Sequence, residues 1–192
     1  MIRSIAATRS FSRSQAAPCL RLSLTVLLLL LFTLPGHADI RPFVGTYEGA
    51  ADVLSADGTV QTRDMSVEIG ATEKGFSVRW SSTRTRDDGR EKSKAYTIRF
   101  VPSARDGIFA AAMGRNVFGH DVQLDPMEGE PYVWARLAGD TLSIYSLFVT
   151  DEGGYEIQQF DRTLVDEGLR LEFQRLRNGV PMRSVSTVLR RQ

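Results

Sequence analysis

Through most of this chain apolar side chains recur at every second position, and Gly, Asp and Asn cut the runs at short intervals. A repeat of two sends successive side chains to opposite faces of a pleated strand, whereas an amphipathic helix repeats every 3.6 residues. Phe76, Val78 and Trp80 share one face, with Ser77, Arg79 and Ser81 opposite. Tyr96, Ile98 and Phe100 alternate with Thr97 and Arg99, and Leu169, Leu171 and Phe173 alternate with Arg170, Glu172 and Gln174. The pattern predicts strands over 43–53, 59–69, 76–84, 91–101, 132–137, 141–149, 155–164, 169–176 and 180–189. A short one over 108–113 brings the count to nine or ten. Both faces of 141–149 are apolar, so its inward parity stays open. After residue 38 no segment carries a helical stripe.

The breaks between strands have hairpin chemistry. Asp57-Gly58, Asp88-Gly89, Gly153-Gly154 and Asn178-Gly179 supply the positive φ that tight turns require. Strands joined in sequence by tight turns make a meander, and an open meander leaves two unpaired edges that closure removes. The expected fold is therefore all-β, a single antiparallel up-and-down β-barrel of about 8–10 strands, with a two-sheet sandwich as its rival. The one long irregular stretch, 114–131, reads as a connection or as a flap over one barrel end.

Residues 1–38 have a different character. They hold no Asp or Glu, carry Arg3, Arg9, Arg13 and Arg21, and contain an apolar run from Leu22 to Leu34 followed by Pro35-Gly36-His37-Ala38. Basic region, short apolar core and small residues are the parts of a secretory signal peptide. The run falls short of the ~20 residues of a spanning helix. The expected organisation is a signal peptide over 1–38 and a β-barrel domain over 39–192. Cleavage near Ala38 would deliver the domain to the periplasm or the exterior. An organelle transit peptide and a retained anchor are the competing readings. Cys19 precedes the apolar core, whereas a lipid-bearing cysteine would stand at the cleavage point.

Beyond the leader there is no cysteine, so neither a disulfide nor a thiolate metal site is expected there. Of the 24 basic residues four lie in the leader, leaving 20 against 23 acidic ones, a net −3 that argues against a nucleic-acid partner. Only one histidine follows the leader, His120. Zinc motifs built on two His or on Cys are therefore excluded. No Gly-x-Ser-x-Gly elbow or phosphate-cradling glycine loop occurs. His120 beside Asp121 reads either as a solvated loop histidine or as an axial haem ligand or acid–base group. Asp121, Asp125, Glu128 and Glu130 lack the Asp-x-Asp-x-Asp-Gly spacing of a calcium loop. No catalytic residue, metal or cofactor is assigned, and an enzyme is not expected; its one foothold is His120 with Asp121.

Phe43-Val44-Gly45-Thr46-Tyr47-Glu48-Gly49 opens the first strand. It resembles the opening of lipocalins and related calycin barrels, whose Gly-x-Trp element plugs one barrel end beneath an Arg from a late strand. The resemblance implies that Arg183 or Arg190 packs over Tyr47. Three things depart from the family: Tyr47 stands in place of Trp, no C-terminal helix is evident, and the family's disulfide is impossible. The helical lid of fatty-acid-binding proteins is absent too, since only a four-residue turn separates the first two strands.

Tyr47, Trp80, Tyr96, Ile98, Phe100, Trp134, Phe148 and Phe173 are the candidate barrel-lining residues, with His120 as a loop candidate. They line a ligand cavity or fill a packed core, depending on the strand number. The leading expectation is an exported binding protein for a small hydrophobic or amphipathic ligand. The alternative is a cell-envelope structural or interaction protein with a filled barrel, its protein partner left open. Insertion in an outer membrane is disfavoured because Asp161 and Arg162 charge both faces of 155–164. An Arg facing the bilayer midplane costs about 2–4 kcal/mol.

Overall fold

The computed structural model describes residues 39–86, 88–115 and 121–192. A 3-10 turn, Arg41–Phe43, leads into β1 (Gly45–Ser55), β2 (Val60–Thr72), β3 (Gly75–Thr85), β4 (Glu91–Pro102) and the short β5 (Ile108–Ala111). A two-residue ladder follows, β6 (Gly114–Arg115) with β7 (Asp121–Val122), and then a 3-10 turn at Pro126–Glu128. The chain continues through β8 (Tyr132–Ala138), β9 (Thr141–Val149), β10 (Tyr155–Val165), β11 (Gly168–Arg177) and β12 (Val180–Arg191).

Apart from the β6–β7 ladder, every strand pairs antiparallel with its neighbour in sequence, and β12 returns to β1 through Tyr47↔Arg191 and Val53↔Val185. Among the described residues this makes a closed ten-stranded up-and-down barrel. The sandwich is set aside because β1 and β12 are joined, and closure leaves no edge. The long connection is mostly irregular, as expected. Asp125 caps its 3-10 turn by accepting from the Met127 amide at 2.8 Å.

Register fixes which parity faces inward. Tyr47, Val67, Trp80 and Tyr96 follow one another across β1 to β4. Ile144, Phe160, Phe173 and Val185 do the same across β9 to β12. This resolves β9: Leu142 and Ile144 point in, and Tyr145 points out, stacked on Trp134. The hairpin β11–β12 turns through Asn178 (φ 48°) and Gly179 (φ 79°), the paired positive angles that a two-residue turn demands.

The interior has two halves. Around the end where β1 begins, Phe43, Tyr47, Ile69, Phe76, Phe100 and Leu142 are all buried in one apolar cluster. Phe76 stacks on Phe100 at 5.0 Å and meets Phe109 edge-on at 4.9 Å. Backbones pack closely there: a Cβ on Gly75 would stand 2.1 Å from the Phe100 carbonyl oxygen, so no larger residue fits. Toward the other end the apolar cluster shrinks to Ala51, Val53 and Val185, with Met65 and Phe173 against it.

Candidate functional site

The closed end is clasped by one residue from each terminal strand. Tyr47 is wholly buried, and its hydroxyl donates to the Phe43 carbonyl at 2.8 Å. Arg191 lies over the Tyr47 ring at 5.2 Å and donates through Nη2 to the Tyr47 hydroxyl at 2.6 Å and to the Pro42 carbonyl at 2.8 Å. The expected aromatic-under-arginine arrangement is therefore present, but with a different arginine. Arg190 has the outward parity, paired with Glu48, and Arg183 lies at the opposite end of β12, paired with Ser55. Only Arg191 is both inward and level with Tyr47.

The other half is hollow. A cavity of about 250 Å3 opens there, just under the roughly 300–1,000 Å3 of drug-sized ligand pockets. Its wall is aromatic. Trp80 stacks on Tyr96 at 5.6 Å, Phe160 lies 5.7 Å from Trp80, and Phe173 lies 4.6 Å from Phe160. Among the described residues five cations also line it, Arg63, Lys94, Arg162, Arg175 and Arg183, and no carboxylate does.

Arg162 forms part of the floor. Its strand partners are Leu142 and Leu171, both buried, and it is itself 1% exposed. Its guanidinium carbon lies 5.4 Å from the Phe160 ring and 5.8 Å from the Trp80 ring. Ring faces attract a cation, yet Nε and Nη1 meet no hydrogen-bond acceptor. Burial pushes this guanidinium down to about 10 from its ordinary 12.5, and the neighbouring Asp161 carboxylate offsets only part of that.

The rim is crowded with like charge. Burial holds Arg63 below its ordinary range, and the charges of Arg183 and Arg84 push it further the same way. Arg63 donates to Gln61 Oε1 at 2.8 Å, while Nε atoms of Arg63, Arg175 and Arg183 have no acceptor. The nearby acid is already engaged: Glu156 takes Arg175 at 2.5 Å, Gln158 at 3.0 Å and Arg177 at 3.8 Å. Burial works to raise the Glu156 carboxyl, but the bonds from Arg175 and Gln158 and the two arginine charges outweigh it, leaving it below its ordinary value.

The structure distributes the eight aromatic and aliphatic candidates over four places. Trp80, Tyr96 and Phe173 line the cavity. Tyr47, Ile98 and Phe100 belong to the packed half, and Phe148 stands at the rim level opposite Glu156 without lining the cavity. Trp134 is a correction. The buried parity of β8 is Val133, Ala135 and Leu137, which puts Trp134 on the outer wall against Tyr145 at 4.9 Å. The loop candidate His120 and the leader lie outside the described residues. Sequence reasoning missed Phe160 and the inward arginines, although Phe160-x-Arg162-x-Leu164 shows a charge on an apolar parity.

Fold and site together define a closed antiparallel barrel of calycin-like architecture, packed at one end and hollow at the other. No protein-family model matches this chain, and no curated protein sequence matches it either.

Proposed function

We propose that the domain is an exported binding protein, periplasmic or secreted, that takes a small hydrophobic or amphipathic ligand into the open half of a lipocalin-like barrel. The observation behind this reading is the aromatic-walled cavity: Trp80, Phe160 and Phe173 present ring surface to a space that their neighbours do not fill. The size of the space favours a compact molecule over a long-chain lipid.

Neutral 1-anilinonaphthalene, which fluoresces in apolar surroundings, tests the reading. The purified barrel is expected to bind one equivalent, and Ser82→Trp, which puts a large ring at a half-buried wall position, is expected to abolish binding. Undiminished binding to a folded Ser82→Trp variant, or no binding to the wild type, would reject it.

A second reading rests on the outer wall, where Trp134 stacks on Tyr145 and Tyr132 meets Trp134 at a tilt. Under it the domain is an envelope interaction protein that presents this aromatic group to a partner. A stable envelope complex lost on Trp134→Ser, with an empty cavity throughout, would favour it.

A further inference from the structure

The wall is not merely apolar. Among the described residues five positive side chains share it with no carboxylate, and the deepest of them is buried with two nitrogen atoms lacking any acceptor. Buried polar groups in folded proteins are almost always satisfied, and an isolated buried charge is among the most costly groups a core can hold. A fold that places Arg162 beside two rings, with Leu142 and Leu171 as its strand partners, leaves a buried cation that the adjacent Asp161 carboxylate offsets only in part.

The rim supports the same inference independently. Arg63 lies within reach of the like charges of Arg84 and Arg183, and Glu156, the acid at the rim, is already held by Arg175. A concave site lined by one sign of charge focuses its field and raises the local concentration of the opposite ion.

We propose that the ligand is a small amphipathic anion, its acid group drawn in past Arg63, Arg175 and Arg183 and neutralised by Arg162, its apolar body lying against Trp80, Phe160 and Phe173. This rests on the cavity-binding reading above and narrows it to an acidic ligand class. The shared chemistry is a carboxylate, sulfonate or phosphate on a compact apolar frame. Rim residues attract and Arg162 anchors; the cation–ring contacts hold the guanidinium in place before the ligand arrives.

The test uses two probes with one ring frame: 1-anilinonaphthalene and its 8-sulfonate. A hydrogen-bonded charge pair in a desolvated site gives a preference of roughly ten- to a hundredfold. The wild type is therefore expected to bind the sulfonate that much more tightly than the neutral probe. Arg162→Met is expected to bring the two affinities together by weakening the sulfonate alone. Arg63→Gln with Arg183→Gln is expected to slow sulfonate association and flatten its salt dependence. Decanoate, but not decanol, is expected to displace the sulfonate, which extends the class to carboxylates.

Equal affinity of the wild type for both probes overturns the proposal without any variant. So does a folded Arg162→Met protein that keeps the wild-type ratio. In either case neutral-probe binding that Ser82→Trp abolishes leaves the cavity reading standing, so the two failures are distinct.

Discussion

Replacing Arg162 with Met is expected to make the ligand-free domain more stable, and the size of the gain follows from the surroundings of the guanidinium. Burial lowers it from 12.5 to about 10, a penalty on the charged form of roughly 3 kcal/mol at about 1.4 kcal/mol per tenfold. Against this stand two ring contacts, at 5.4 and 5.8 Å, worth about 0.5–1 kcal/mol each. Met fills much of the same space, adapts to irregular gaps and leaves no unmet donor. The net expectation is a stabilisation of about 1–2 kcal/mol. For a domain of this size that corresponds to a rise in melting temperature of roughly 2–8 °C. Far-UV circular dichroism on the two proteins, without ligand and at neutral pH, reads it directly. A melting temperature lowered by several degrees would refute the reasoning, because it would mean that Arg162 contributes more through its contacts than it loses by burial. A gain in stability accompanied by loss of anion preference is the signature of a group retained for binding at the expense of folding.

Two further outcomes follow from the ion pairs and the clasp. Glu156 is held below its ordinary 4.5 in the folded state, so the folded protein favours the ionised form. That contribution is fully present above the unfolded value and is lost as pH falls through the folded one. Glu156→Gln is expected to lower neutral-pH stability by on the order of 1 kcal/mol, since Arg175 and Arg177 stay partly solvated, and to flatten the acid limb of the stability profile. Urea midpoints across the acid range check this, and an unchanged limb refutes it. Tyr47→Phe removes an acceptor for Arg191 and a donor to Phe43 while leaving the ring. It is expected to cost about 1–3 kcal/mol, seen as a lower urea midpoint with an unchanged slope.

The strands were legible because each carries its own signal. Period-two patterning and Asp-Gly or Asn-Gly breaks are local, and every barrel strand lies within a few residues of its expected span, whereas the short β6–β7 ladder had no such signal. Closure was legible indirectly, from the number of edges a long meander would expose. What the sequence left open were levels and partners across the barrel. Arg183, Arg190 and Arg191 sit within nine residues, and only the β1–β12 register decides which of them meets Tyr47. Trp134 looks like a core residue by composition, but its neighbours Val133 and Ala135 take the inward parity of β8. Arg162 was visible as a charge among the apolar residues of β10. Its meaning was not, because Trp80, whose ring helps define its surroundings, comes from β3, distant in the chain.

The same side chains explain why one half of the barrel is solid and the other hollow. At the closed end the inward positions are Phe, Leu, Ile and Val, which gain by meeting across the axis and leave little space. At the open end the inward positions include Gln61, Arg63, Lys94, Glu156, Gln158, Arg175 and Arg183 beside the aromatic wall. Long charged side chains keep their heads in water and lay only their stems on apolar surface, so they rise to the rim instead of filling the axis. Repulsion of Arg63 by Arg183 and Arg84 opposes inward collapse, since bringing the heads together in a less polar space raises their interaction energy. The cations thus act twice: they keep the cavity open, and they set the sign of charge it favours.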